Sequence, residues 1–324
     1  MLHPPRRAIL GGFLTTVAAT RLSAAEWPER PVVWVLPFPP GGPTDAFARP
    51  LGAQLASQLG RPMIMDSRSG AGGTLAAAAV ARAAPDGYTL LVGYTGHTYA
   101  PAIYPKAGFD FARDFEPVSA FGRVAQVLVA NPARFDGATL ATFLERARAR
   151  PGAIDIASAG LGTVPHLAVE LLQARAGIKL SHVPYRGSAP AMQDLLAGTV
   201  DALFAPISGV VSQVRAGRLR ALAIAARRRD PQLPDTPTFH ESGLADFRVS
   251  SWYGLFAPKR TPAPVLDRLH GALQTALARD DIRQMWAAQG ARVELESRVD
   301  FARFIGLEVE RWNRIARAAN VQLE

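Results

Sequence analysis

The stretch VVWVL (32–36), PFPPGGPTD (37–45) and AFARPLGAQL (46–55) decides how the first part of this chain folds. The apolar, β-branched residues 32–36 predict a buried strand, and residues 46–55 predict a helix. Prolines and two adjacent glycines form the turn between them, where Thr44 or Asp45 can cap the helix. Free N–H groups and the positive end of the helix dipole then point at one spot, which is a seat for an anion. The alternative, a strand-to-helix turn that binds nothing, stays open.

The same arrangement recurs in the segments that follow. Residues 63–66 predict a second strand, and the glycine-rich loop 68–74 leads from it into a helix. Residues 88–93 predict a third strand, which the polar loop 94–98 follows. Strands that alternate with helices predict an α/β domain with a parallel sheet, and ligands of such sheets bind outside the carboxyl ends of the strands.

The middle of the chain repeats this pattern. Strands are predicted at 154–157, 180–184 and 200–204, with the loops 158–165 and 185–188 after the first two. This block predicts a second α/β domain of similar build. A length of 324 residues also favours two domains over one.

Composition excludes several classes of function. The chain has a formal net charge of +9 and no cysteine. The charge is dispersed apart from the arginines at 227–229, and no basic face is interleaved with aromatic residues, so nucleic-acid binding is not favoured. Without disulfides the fold depends on its core alone, and no segment after the N-terminus approaches a membrane span.

Residues 1–25 predict a cleaved export signal. Two arginines precede the apolar residues 8–19, which are too few to stay across a bilayer, and residues 23–25 (SAA) supply small side chains for cleavage near Ala25. The ordinary secretory route and the twin-arginine route both stay open. We therefore expect a periplasmic protein that is soluble once the leader is removed.

A series of short motifs runs through the chain after this leader. The motifs are Trp27-Pro28 with Pro31; Pro37-Phe38 with Gly41-Gly42 and Asp45; Gly70-Ala71-Gly72-Gly73; Pro85-Asp86-Gly87-Tyr88-Thr89-Leu90-Leu91; Asp114-Phe115 with Pro117-Val118; Ser158 with Gly160, Gly162-Thr163 and His166-Leu167; and Val183-Pro184-Tyr185-Arg186-Gly187 with Asp194-Leu195-Leu196 and Gly198. No single motif is specific, but their order and spacing resemble the Bug-type periplasmic solute-binding proteins, the receptors of tripartite tricarboxylate transporters.

The resemblance implies a two-domain α/β fold of the type II periplasmic-binding-protein kind, with the ligand in the interdomain cleft. Domain 1 would comprise residues 26–130 and 248–324, and domain 2 residues 131–247, with two crossing strands between them. A small carboxylate or related polar metabolite is the implied ligand, and membrane transporter subunits are the implied partners. No cofactor, no metal and no enzymatic activity are implied, and we expect a monomer.

The resemblance also assigns residues to the ligand site. The first loop would contribute Phe38, Gly41, Gly42, Thr44 and Asp45, and the opposite loop would contribute Ser158, Gly160, Gly162, Thr163 and His166. Family members recognise their ligands largely through backbone N–H groups, hydroxyls and ordered water. Pro40 and Pro43 depart from the usual pattern, and Pro40 has no N–H to donate.

Three side chains keep two interpretations each. Arg186 pairs either with a ligand carboxylate or with a neighbouring acid. Asp201 either faces the cleft or is a surface acid at the end of a strand. His166 either donates to the ligand or serves to cap or pack its helix.

Two motifs suggest enzymes. The segment GLGTVP (160–165) carries Pro165 where a dinucleotide fingerprint has its third glycine, so a dinucleotide site is rejected. Ser158 with Gly160 resembles half of a nucleophile elbow, but Ile156 replaces the first glycine of that motif. A secreted serine hydrolase using Ser158 and a histidine, and a binding protein that serves a signalling sensor, remain the alternatives to a transport receptor.

Overall fold

The computed structural model describes residues 27–288 and 290–318, so the predicted leader, residues 1–25, lies outside the described residues. The strands are β1 Val32–Leu36, β2 Met63–Ser67, β3 Thr89–Tyr94, β4 Phe115–Ala130, β5 Asp155–Ser158, β6 Ser181–Pro184, β7 Ala202–Pro206, β8 Arg220–Ile224, β9 Ser250–Pro258 and β10 Ala291–Arg292. The helices are α1 Pro43–Leu59, α2 Thr74–Ala81, α3 Gly96–Ile103, α4 Phe111–Asp114, α5 Leu140–Ala149, α6 Val164–Ala176, α7 Ser188–Ala197, α8 Val211–Arg215, α9 Ala263–Leu277, α10 Asp280–Ala288 and α11 Arg298–Ala318.

Two local predictions differ from the structure. The N-cap of α1 is Gly42, so Thr44 and Asp45 lie inside the first turn and do not cap the helix. The predicted polar loop 94–98 contains the start of α3, whose N-cap is Thr95. Packing explains this second difference, because His97 is completely buried in α3 against Phe109 and Phe111, and Tyr99 of the same helix packs against the distant Trp312 of α11.

The strands form one sheet through which β4 runs. The strand order among the described residues is β2-β1-β3-β9-β4-β7-β5-β6, and β8 and β10 also pair with β4. Strand β4 pairs antiparallel with β9 over Phe115–Ala125, and with β7 over Gln126–Ala130. One strand therefore carries the hydrogen bonding from one half of the sheet into the other.

The directions of pairing make two groups of parallel strands point at each other. Strands β1 and β3 are parallel to each other. Because β3 and β4 are both antiparallel to β9, strands β1, β3 and β4 all run in the same direction. Strands β5 and β7 are parallel to one another, and β7 is antiparallel to β4. The loops after β1 and β3, and those after β5 and β7, therefore point toward the junction in β4 between Ala125 and Gln126.

Helices α3 and α11 connect the two halves of the core. Trp312 of α11 is completely buried and packs against Tyr99 of α3, with ring centroids 5.4 Å apart. Both residues belong to the apolar cluster that includes Phe143 and Leu167 of the middle block. The core of the middle block is thus completed by helices outside it, and the division into two domains given above stays a prediction.

A buried carboxylate ties α11 to β9. Glu308 is 6% exposed, and its Oε2 accepts hydrogen bonds from Trp312 Nε1 at 2.9 Å and Trp252 Nε1 at 3.2 Å. Arg311 lies 3.3 Å from the other carboxylate oxygen. A buried charge must be paired and hydrogen-bonded in this way to be tolerated.

Within the part of the chain that the structure describes, no helix has the length and apolar character needed to cross a bilayer.

Candidate functional site

The loop 37–45 forms a tight turn between β1 and α1. Gly41 has a φ of +83°, which favours glycine, whereas Gly42 has a φ of −82°, which any residue adopts. The Asp45 carboxylate accepts a hydrogen bond from the Gly41 N–H at 3.0 Å and pairs with Arg49 Nη2 at 2.8 Å. Burial raises the pKa of Asp45, but the bonds from Arg49 and Gly41 outweigh it, so the pKa is lowered overall. Asp45 therefore stays ionised and holds the turn.

The remaining residues of this loop shape its inner surface. Phe38 is half-buried and lies edge-on against Tyr94, with ring centroids 5.0 Å apart. Thr44 is buried, and its Oγ1 has no hydrogen-bond partner within residues 27–288 and 290–318. No side chain caps the N-terminus of α1 at Gly42. The first-turn N–H groups of α1 therefore have no side-chain acceptor from the cap.

The second loop, residues 158–163, is held by its own hydroxyl groups. Ser158 is completely buried, and its Oγ accepts from the Gly160 N–H at 3.1 Å. The Ser158 proton goes to His182 Nε2 at 2.7 Å or to the Gly160 carbonyl at 3.3 Å. Thr163 Oγ1 donates to the same carbonyl at 2.7 Å. Both hydroxyls therefore bond within the second loop or to His182, and their role toward a ligand stays a prediction.

His166 supports this loop from the first turn of α6. It is 5% exposed, and its Nδ1 accepts from the Gly162 N–H at 3.1 Å, while its Nε2 lies 3.7 Å from Glu170 Oε1. Its ring stacks on that of His182 with centroids 4.4 Å apart. Burial, and then the neighbouring His182, lower the pKa of His166 to about 4, and burial also lowers the pKa of His182. His166 is neutral at pH 7 and packs in its helix, and whether it also donates to a ligand stays a prediction.

The two loops share the features of an anion seat. Helices α1 and α6 both begin without a side-chain cap and with a proline in the first turn, Pro43 and Pro165. The orphan N–H groups and the positive end of each helix dipole attract negative charge. Because both helices follow carboxyl ends that point at one another, they suit an anionic solute between them. Among the described residues, no three histidine, aspartate or glutamate side chains gather closely enough to hold a metal ion.

Arg186 lies alongside the second loop. The Tyr185 N–H donates to the Ser158 carbonyl at 3.1 Å, and the Gly187 N–H donates to the Ala159 carbonyl at 3.1 Å. These two bonds hold the backbone of Arg186 next to the loop 158–163, and its side chain is exposed. A guanidinium in this place can meet a carboxylate at the edge of the seat.

Asp201 is not brought together with the other predicted residues. It is 4% exposed, and its carboxylate accepts from the Asp155 N–H at 2.9 Å and from Arg134 Nε at 3.2 Å. Asp201 precedes β7 and is level with the start of β5, whereas Ser158 ends β5. It is therefore neither a residue beside Ser158 nor a surface acid, but a buried acid that joins the starts of two strands.

Sequence reasoning missed His182, which contacts Ser158, and the residues that support the glycine-rich loop of the first half. In that loop, Tyr94 donates its hydroxyl proton to the Gly72 carbonyl at 2.6 Å, and His97 Nε2 lies 3.2 Å from the Gly73 carbonyl. His182 and Ser158 stand on neighbouring strands, and only the register of β5 on β6 brings them into contact. No local pattern in the sequence signals that register.

The Ser158–His182 pair has part of the composition of a hydrolase site but not its geometry. A nucleophilic serine must expose its Oγ to a substrate. Ser158 is completely buried, and its Oγ is occupied by Gly160 and His182.

A sheet whose two halves point their strand ends at each other is the architecture of the periplasmic binding proteins. MatC from Rhodopseudomonas palustris with bound malate superimposes with a TM-score of 0.81 at 38% identity, over 89% of this chain and 99% of that one. The R. palustris protein Rpa4515 with adipate gives a TM-score of 0.84 at 32% identity, over 91% and 98% of the two chains. Protein BugT of Bordetella pertussis is 36% identical over 98% of both chains.

Residues 47–321 match the tripartite tricarboxylate transporter family receptors, and the chain belongs to this family. The resemblance read from the motifs is thereby confirmed, as are the fold class and the role of solute-binding receptor. Members of this family are periplasmic. They are solute-binding receptors and not enzymes, so the hydrolase alternative is not favoured.

The glycines of the two loops should respond differently to substitution. We expect Gly160→Ala to lower the free energy of unfolding by about 1–3 kcal/mol, because φ is +128° and the new Cβ would lie 2.8 Å from the Tyr185 carbonyl oxygen. Gly42→Ala should stay within about 0.5 kcal/mol of wild type, since the nearest atom to its Cβ is the Pro39 carbonyl oxygen at 3.6 Å. Urea unfolding measures both, and equal losses would contradict the turn geometry.

Stability should decrease between pH 6.5 and pH 4 through His166. Its pKa in the folded protein is about 4 against an ordinary value of 6.5, so its contribution is complete above pH 6.5 and is lost as the pH falls through 4. The full effect is on the order of 3 kcal/mol. We expect His166→Gln to flatten the pH dependence of urea unfolding relative to wild type. An identical slope in His166→Gln would disprove this.

Proposed function

We propose that this receptor binds a small carboxylate between the loops 37–45 and 158–166 and delivers it to the membrane subunits of a tripartite tricarboxylate-type transporter. The observation that carries the proposal is the pair of uncapped helix N-termini at strand ends that point toward one another. MatC with malate and Rpa4515 with adipate support the choice of ligand class, since both ligands are dicarboxylates.

Recognition rests mainly on backbone groups in this proposal. The amides at the start of α1 and α6 receive the ligand, with Gly42 giving it room to approach. The side chains of Asp45, Ser158, Thr163 and His166 are occupied in holding the two turns, as their hydrogen bonds indicate. Peptide N–H groups fixed in this way bind an anion without paying for new order in the loops.

The two-domain division belongs to the same proposal. Residues 26–130 with 248–324 would form one domain and residues 131–247 the other, and a monomer would close them on the solute. Strand β4 and the segment entering β9 are the crossing strands, and they are bonded to each other where they cross, from the Gln126 N–H to the Val249 carbonyl at 3.0 Å. Hinges of binding proteins are a few residues at the ends of such elements.

Dicarboxylates should stabilise the folded protein. A ligand at about 100 times its dissociation constant should add about 2.7 kcal/mol to the free energy of unfolding. Malate and adipate should therefore raise the melting temperature in a thermal-shift assay, whereas the uncharged diol 1,4-butanediol, which lacks carboxylates, should not. No shift with any mono-, di- or tricarboxylate would count against the proposal.

Two matched glycine variants test where the ligand binds, with its affinity measured by calorimetry. Gly42→Val should abolish binding while the protein folds, because its backbone accepts a side chain but the ligand loses its space. Gly306→Val is the control, since Gly306 is exposed in α11 with no atom near its Cβ position. Normal calorimetric affinity in a folded Gly42→Val would place the ligand elsewhere.

We also propose that the protein is exported with its first 25 residues removed, on the pattern of arginines, apolar residues and small residues described above. N-terminal sequencing of the protein recovered from the periplasm should begin near Glu26. A periplasmic protein that retains Met1 would exclude cleavage at this site.

A further inference from the structure

His182 of β6 contacts Ser158, the first residue of the second loop, from the neighbouring strand. Its Nε2 lies 2.7 Å from Ser158 Oγ, and Ser158 is the last residue of the neighbouring strand β5. The register of the two strands places Ile156 opposite His182 and Ser158 opposite Pro184, so the imidazole reaches along its own strand toward the loop. None of the roles assigned above to the solute site uses this ring.

The serine that His182 contacts determines the turn at Gly160. Ser158 Oγ accepts from the Gly160 N–H at 3.1 Å, and Thr163 Oγ1 donates to the Gly160 carbonyl at 2.7 Å. The backbone N–H and the backbone carbonyl of Gly160 are therefore both hydrogen-bonded to side chains of the loop. A buried hydroxyl with a second partner on a strand is less free to rotate away from this arrangement.

The face of the His182 ring is also in contact. It stacks on His166 with centroids 4.4 Å apart and an angle of 13° between the planes, and His166 Nδ1 accepts from the Gly162 N–H. Two imidazoles in such a stack cannot both carry charge without strong repulsion. Through Ser158 and His166 the single ring of His182 is connected to two successive turns of the loop, those at Gly160 and Gly162.

We propose that His182 is a positioning residue of the solute site. It holds Ser158, and through Ser158 the turn at Gly160, in the shape that leaves the first-turn amides of α6 free for an anion. This inference rests on the proposed function for its effect on affinity, but the effect on the turn does not require a ligand.

The test compares His182→Phe, which keeps a stacking ring but loses the hydrogen bond, with His182→Gln, which keeps a polar group on the side chain. We expect the calorimetric dissociation constant for malate to rise about five- to tenfold in His182→Phe, as for the loss of one hydrogen bond, and to recover largely in His182→Gln. The Gly160 amide should exchange its hydrogen faster in the phenylalanine variant. The exposed His240→Gln is the matched control for both measurements.

Ser158→Ala removes the same contact from its other end and keeps the test valid if His182→Phe does not fold. The double variant should bind no more weakly than the weaker single variant, because both changes break one interaction. A folded His182→Phe with wild-type affinity and unchanged exchange at Gly160 would overturn the proposal. If wild type binds no mono-, di- or tricarboxylate, the proposed function fails, while hydrogen exchange at Gly160 still decides the role of His182.

Discussion

The hydrogen bonding of β4 is the constraint on which the rest of the structure depends. This strand of 16 residues must satisfy its backbone against β9 in its first part and against β7 and β8 in its last. Its register on β9 shifts near Pro117 and again before Gly122, as bulges that add twist. At Gln126, which is completely buried, the side-chain amide donates to Ser251 Oγ at 2.9 Å and ties β4 to β9. The direction of β4 makes the ends of two parallel groups point at one junction.

Side chains and backbone have separate tasks in the two loops at that junction. In the first loop the Asp45 carboxylate fixes the Gly41 amide, and in the second the hydroxyls of Ser158 and Thr163 fix the Gly160 peptide. The polar side chains of Asp45, Ser158 and Thr163 thus make hydrogen bonds within their own loops. In the proposed site the solute would bind the amide groups at two helix starts, whose geometry is rigid because the turns before them are held.

The electrostatics of the seat are mild. The charge of Asp45 is matched by Arg49, and His166 and His182 are neutral because burial lowers the pKa of each. In the proposed site the attraction for an anion would come from the helix dipoles, whose effect reaches little beyond the first turn. Backbone hydrogen bonds of its two neighbours hold Arg186 beside the second loop, and its exposure leaves its charge screened by salt.

The sequence by itself determined the local units: the strand at 32–36 with the turn and helix that follow it, the loop that follows the strand at 154–157, and the order of motifs that identifies the family. These follow from neighbouring residues, because turn chemistry and hydrophobic period act over a few positions. Tertiary structure alone decided that His182 meets Ser158, that Asp201 lies at the opposite strand end, and that α3 forms where polar residues predicted a loop. Each of these depends on strand register or on burial by distant elements, and a register shift by one residue changes every contact across the strand without altering any local pattern.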